Sequence, residues 1–329
     1  MTDHALNLPR AGRRGFLRAK TQIAWRNLMP GPFNGMITAC ITPFAKDGTI
    51  DFGTWRRLID RQIQAGADGL VIFGTAGEAP TITPSEYLEA SERVVDMVGG
   101  RVPVLAGAGG NDTRRAVTQA KALAETGIDG LLVTCPYYSK PPQHALVNHY
   151  RAIADAVDLP QLVYNIKGRT GVNIEPDTLF RMAEHENIVG VKEASDDMDQ
   201  FMTVAGTAPD GFSVLAGSDH VAYPVIAFGG HGVICTVSNI IPADFKALVT
   251  AALEGNRVLA ARKHALLLPM MKACFIENNP MAIKTMMALT GEIEEVFRPP
   301  LCSMMPENRD VLRSILQRFA LLPGAVAAA

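Results

Sequence analysis

Gly66-Ala67-Asp68-Gly69-Leu70 and Gly127-Ile128-Asp129-Gly130-Leu131 are two copies of one short device. In each, a glycine closes an amphipathic stretch and a second glycine opens an apolar run. Glycine tolerates the left-handed conformation in which helices end, so the pattern predicts a helix stop followed at once by a strand. Repetition of such a unit is what a series of βα modules produces. Outward from these two copies, eight short apolar runs alternate with longer amphipathic segments: residues 36–42, 69–74, 103–107, 130–134, 161–165, 188–192, 213–216 and 232–236. Runs this short, bounded by turn residues, fit buried parallel strands. Between them, Trp55, Leu58, Ile59 and Ile63 make one apolar helix face, as do Leu146, Tyr150, Ile153 and Val157 before Pro160. Eight strands alternating with helices predict an α/β fold, the (β/α)8 or TIM barrel. An open doubly wound sheet would carry GxGxxG after its first strand, and none follows residues 36–42. The expected organisation is an N-terminal extension over 1–33, the barrel over 34–256 and a C-terminal helical subdomain over 257–329.

Composition narrows the function classes. With 48% hydrophobic and 19% charged residues, the 329-residue chain can bury a large core. A formal net charge of −2 gives no electrostatic reason to expect nucleic acid or an anionic membrane as partner. Five widely spaced cysteines, an odd count without CxxC, predict reduced thiols in a cytoplasmic protein. The seven histidines form no HxxxH or HExxH, so no metal is expected. No apolar run reaches the ~18 residues of a membrane span. Arg13-Arg14-Gly15-Phe16-Leu17-Arg18 resembles a twin-arginine export signal, but Gln22, Arg26 and Asn27 interrupt the apolar run such a signal needs. A basic transit peptide is a second reading; a plain extension is the preferred one.

In a barrel of this kind the chemistry sits at the C-terminal ends of the strands. Those ends supply Thr75, Tyr138, Tyr164 with Arg169 just beyond, Lys192, Gly217 and Ile234. Lys192 closes the apolar run Ile188-Val189-Gly190-Val191. Burial disfavours a charged amine, and an uncharged amine can attack a ketone to form an imine, an electron sink. The alternative is a strand-end lysine that snorkels to solvent or pairs with Glu193. Tyr164 reads equally as a core tyrosine or as a proton relay. The planar fork of Arg169 suits a carboxylate, although exposed loop arginines are common. Gly74-Thr75-Ala76-Gly77-Glu78 offers free backbone N–H groups, which can bind an anion or merely turn the chain.

Taken together and in order, several motifs carry a resemblance over roughly residues 34–321. They are Thr42-Pro43-Phe44, Gly74-Thr75-Ala76-Gly77-Glu78, Pro136-Tyr137-Tyr138, Tyr164-Asn165 with Arg169-Thr170-Gly171, Gly190-Val191-Lys192-Glu193-Ala194, Gly229-Gly230-His231-Gly232-Val233-Ile234 and Asn279-Pro280. The chain resembles the dihydrodipicolinate synthase/N-acetylneuraminate lyase family. That resemblance implies a pyruvate imine on Lys192, with Tyr164, Thr75 and Tyr138 as a hydroxyl relay, Tyr138 reaching into a neighbouring subunit's site. It implies that Ala76, Gly217 and Ile234 belong to the pyruvate pocket and that Arg169 holds the second substrate's carboxylate. The Arg-Thr-Gly loop implies the synthase branch, which condenses pyruvate with aspartate 4-semialdehyde in lysine and diaminopimelate biosynthesis. No cofactor is implied, and the implied assembly is a homotetramer. The other readings are a pyruvate aldolase acting on a sugar acid or hydroxy-oxo acid, and a non-catalytic keto-acid-binding barrel.

Three departures from the family pattern bear on these expectations. Ala76 stands where a second Thr or Ser is common, so a hydroxyl contact is lost while the backbone N–H remains. Lys167-Gly168 replaces a proline-containing turn and is expected to loosen the loop. Pro84, Tyr87 and Arg115 stand at the usual lysine feedback site, where a cationic Arg115 would repel the ligand's ammonium, so weak or absent lysine inhibition is expected.

Overall fold

The computed structural model describes residues 30–324, so the arginine pair and nearly all of the 1–33 extension lie outside the described residues. Eight parallel strands close on themselves in sequence order. They are β1 (Gly35–Ala39), β2 (Gly69–Ile72), β3 (Val104–Gly109), β4 (Gly130–Thr134), β5 (Gln161–Asn165), β6 (Ile188–Glu193), β7 (Ser213–Ala216) and β8 (Gly232–Cys235). β1 pairs with β2 on one side and with β8 on the other, so no edge is left open.

The repeated glycine device has a hydrogen-bonded logic. Gly66 and Gly127 are left-handed, at φ +85° and +80°, just past the helices Phe52–Gln64 and Thr113–Ala124. The aspartate in each copy then grips the start of the preceding strand with both backbone and side chain. Asp68 N–H donates to Met36 O and its carboxylate accepts from Met36 N at 2.7 Å. Asp129 repeats both bonds with Val104, its carboxylate accepting at 2.8 Å. Each copy thus sets the register of a strand pair at its N-terminal end.

The helices pack outside as their periodicity predicts. Trp55, Leu58 and Ile59 are buried, and so are Leu146, Tyr150 and Ile153. Val157 lies beyond the helix Gln143–Ala154, which ends before it. Trp55, Phe201 and Phe245 are at most 1% exposed, and burial of each contributes about 2–3 kcal/mol. All five cysteines are free.

The C-terminal stretch 257–321, expected to be helical, is helical in three pieces: Arg257–Ala273, Met281–Leu289 and Pro306–Arg318. Gly291 at φ +78° and the Pro299-Pro300 pair exclude helix between the last two. The intervening residues return to the barrel through Arg298. Its guanidinium donates to Gly48 O, Thr81 O and the Glu86 carboxylate. Among the described residues, no helix is long and apolar enough to cross a membrane.

Closure between β1 and β8 needs a residue without Cβ. A Cβ on Gly232 (φ +151°) would lie 2.1 Å from Gly35 O. Gly232→Ala is therefore expected to cost at least about 3 kcal/mol of unfolding free energy in urea titration. Gly255→Ala, also at positive φ but with nothing within 4 Å, should cost only about 1 kcal/mol.

Candidate active site

A one-residue irregularity places the central lysine. β5 and β6 pair Gln161 with Ile188 and then Leu162 with Gly190, so β6 carries Val189 as an extra residue. From there Tyr164 pairs with Lys192. Paired residues on adjacent strands face the same way, and a slip of one residue inverts the face. Lys192 and Tyr164 therefore emerge side by side, with Nζ 4.3 Å from the centre of the phenol ring. Both side chains are buried, at 5% and 4% exposure.

They lie on a cavity of about 190 Å³ at the C-terminal mouth of the barrel. Of the residues singled out from sequence, Thr75, Ala76, Tyr164, Arg169, Lys192 and Gly217 all line it. Ile234 does not line it; it is buried within β8, and Thr236, two residues on and thus on the same face of the chain, lines the cavity instead. Tyr138 does not line it either. It is 87% exposed with a left-handed backbone, φ +71°, in the loop that follows β4. A larger groove of about 440 Å³ shares Thr75, Tyr164, Ile166, Arg169 and Asn279 with the cavity.

Each wall has a local cause. Thr75–Gly77 is one turn of 3-10 helix, pinned by Thr42 Oγ1, which donates to Gly77 O at 2.8 Å. Gly217 lets β7 reach β6 beside the lysine: a Cβ there would lie 2.6 Å from Ala194 Cβ. Lys167–Thr170, expected to be a loosened loop, is one turn of helix closed by Gly171 N–H donating to Lys167 O. From it Arg169 Nη2 donates to Asn279 O at 3.3 Å, which steers the guanidinium along the rim.

Behind the lysine lies a buried polar network. The Glu193 carboxylate accepts from Asn165 Nδ2, from Gln200 Nε2 at 2.9 Å and from Ser195 N at 2.7 Å. Asn165 also accepts from Ile174 N, which fastens the far end of the arginine loop to β5. Burial pushes the Glu193 carboxyl above its usual range, against these hydrogen bonds. Glu193 is thus engaged behind the strand, and no ion pair joins it to Lys192 among the described residues.

Sequence reasoning missed Asp219. It is fully buried after β7, and its two oxygens accept from Thr236 N and Val237 N at 2.9 and 2.7 Å. Burial raises its carboxyl to about 6, opposed by those two hydrogen bonds and by the charge of Lys192. Asp196, Ser218 and Thr236, also missed, line the cavity. Their positions just past strand ends were the available signal. Pro84, Tyr87 and Arg115 line one surface cleft. The Tyr87 hydroxyl is engaged internally, donating to Gly107 O at 2.6 Å, and Arg115 lies 3.8 Å from Asp112. Among the described residues no three His, Cys, Asp or Glu side chains cluster as a metal would require.

Fold and cavity define a (β/α)8 barrel built around a buried lysine at its C-terminal mouth. The chain belongs to the dihydrodipicolinate synthetase family, which residues 32–319 match. It is 43% identical to the 4-hydroxy-tetrahydrodipicolinate synthase of Pelobacter propionicus, over 88% of this chain and all of that one. It is 44% identical to the enzyme of that name from Syntrophus aciditrophicus, over 88% of this chain and 99% of that one. The crystal structure of dihydrodipicolinate synthase from Aquifex aeolicus superposes with a TM-score of 0.86 at 40% identity, covering 89% of this chain and all of that one.

The raised Asp219 carboxyl has a pH consequence. A folded value of about 6 against an ordinary 3.8 means the group favours folding below pH 4, a contribution lost as pH rises through 6. Relative to Asp219→Asn, the wild type should lose about 1 kcal/mol per pH unit between pH 4 and 6 and then level off, read by urea unfolding at each pH.

Proposed function

We propose that this chain condenses pyruvate with aspartate 4-semialdehyde to 4-hydroxy-tetrahydrodipicolinate, the product in the name its relatives carry. The observation that carries the reading is the Lys192 amine buried over the Tyr164 ring in a cavity whose rim bears the Arg169 guanidinium. The amine attacks the pyruvate carbonyl, and the carbinolamine expels water to leave an iminium on Nζ. The iminium draws electrons from the methyl carbon, which loses a proton and becomes an enamine. The enamine attacks the aldehyde carbon of the second substrate, forming the new carbon–carbon bond. The aldehyde oxygen takes up a proton to become the hydroxyl, and the second substrate's own amine attacks the iminium carbon, closing the ring and expelling the Lys192 amine as leaving group.

Tyr164 is adjacent and relays protons in these steps, with Thr75 beside it. The Thr75–Ala76 turn receives the pyruvate carboxylate through its N–H groups. Gly217 keeps the lysine end of the pocket open. Arg169 takes the carboxylate of the second substrate. The steps need no organic cofactor or metal. A cytoplasmic location and weak inhibition by lysine, for which Arg115 is the argument, belong to the same reading.

Borohydride reduction in the presence of pyruvate, followed by peptide mapping, is expected to trap a pyruvyl adduct on Lys192. Absence of an adduct in active enzyme would refute the imine route.

The outward-turned Tyr138 is proposed to complete the site of a second copy within a homotetramer. Tyr138→Phe and Lys192→Ala chains, each expected to lose at least about 90% of activity, should recover to about a quarter of the wild-type level on co-refolding, because about half of the pairs are then mixed and one site in each mixed pair has both groups. No recovery in mixed oligomers verified by mass would show that Tyr138 does not act across the interface.

A further inference from the structure

The turn that brings Thr75 and Ala76 to the cavity is bracketed by two residues in an unusual conformation. Phe73 and Glu78 are both left-handed, at φ +53° and +55°, and neither is glycine. A residue with a Cβ disfavours that region and keeps it only where its surroundings over-determine it. Phe73 is held by packing: its ring is 4.1 Å from that of Tyr87 and 5.9 Å from that of Trp55.

Glu78 is held by charge. Its Oε1 accepts from Lys284 Nζ at 2.5 Å, and both side chains are fully buried. Its Oε2 accepts from Arg298 N at 3.1 Å. Lys284 Nζ also lies 4.3 Å from the Phe44 ring centre. The two partners are 206 residues apart in sequence, one on the β2 turn and one on the helix Met281–Leu289. Neither lines the lysine cavity. A buried ion pair contributes little more to stability than an apolar pair of equal volume, so stability alone does not explain it. Its geometric effect is specific, because it fixes the conformation of the residue that ends the 3-10 turn.

We infer that Glu78 and Lys284 are positioning residues for the keto-acid site: the C-terminal helix, through this pair, holds residue 78 left-handed and so sets how Thr75 and Ala76 face the cavity. The inference rests on the proposal that this turn receives the pyruvate carboxylate.

The test compares Glu78→Ala with Glu78→Gly, each combined with Lys284→Met so that no buried charge is orphaned. Both remove the carboxylate, but only glycine adopts the left-handed conformation without penalty. The alanine pair is expected to raise the pyruvate KM about tenfold, equivalent to about 1.4 kcal/mol, with a smaller loss in kcat through Thr75. The glycine pair is expected to recover most of that loss. Equal pyruvate KM in the two double variants, or a wild-type KM in the alanine pair, overturns the inference. Should the alanine pair fail to fold by circular dichroism, Glu78→Ser with Lys284→Met replaces it, with the same expectations. Borohydride trapping on the wild type separates the two levels. No adduct on Lys192 refutes the reaction, whereas an adduct with indifferent variants refutes only the role of the pair.

Discussion

The pairing of β5 with β6, one residue out of simple register, is the constraint on which the site depends. Were Val189 paired in turn, Tyr164 would stand opposite Val191, and Lys192 would come level with Asn165 on the other face of the sheet. The extra residue instead brings the amine and the phenol together inside the barrel mouth. Because the strands at the lysine end are short and buried, the shift cannot relax without moving β7, which pairs Leu215 with Lys192. The buried network of Asn165, Glu193 and Gln200 stands behind the same two strand ends and ties them to the arginine loop.

Around that pair the cavity is assembled from parts distant in sequence. The β2 turn contributes Thr75 and Ala76, the β5 loop Arg169, the β7 end Gly217 and the C-terminal stretch Asn279. Polar contacts fasten these parts: Thr42 on Gly77, Asn279 on Arg169, Glu193 O on the Gly217 N–H, and Asp219 on Thr236 and Val237. The division of labour suits a small polar reaction. Lys192 and Tyr164 are buried in the cavity, while the Arg169 guanidinium stands in the loop beyond β5.

Much of this was legible locally. The eight apolar runs became the eight strands, most within a residue or two of their ends, because a buried parallel strand must be apolar throughout. The largest difference is at the first run, which continues past Ala39 as loop although its residues stay buried. The C-terminal subdomain, expected to be helical, is three helices, and in the stretch between the last two Arg298 reaches Gly48 and Glu86. Asp219 escaped notice because an isolated aspartate after a strand has no local sign of complete burial.

The sequence by itself determined the barrel, the strand that carries Lys192 and the set of side chains at the strand ends, because periodicity and turn chemistry act over a few residues. Tertiary structure alone decided which of those side chains share a cavity. It turned Tyr138 outward, kept Ile234 out of the cavity lining, set Glu193 behind the strand and paired Glu78 with a lysine on the far end of the chain. The physical reason is that register, a strained left-handed backbone and a buried charge are each settled by a partner that only closure of the barrel brings within reach.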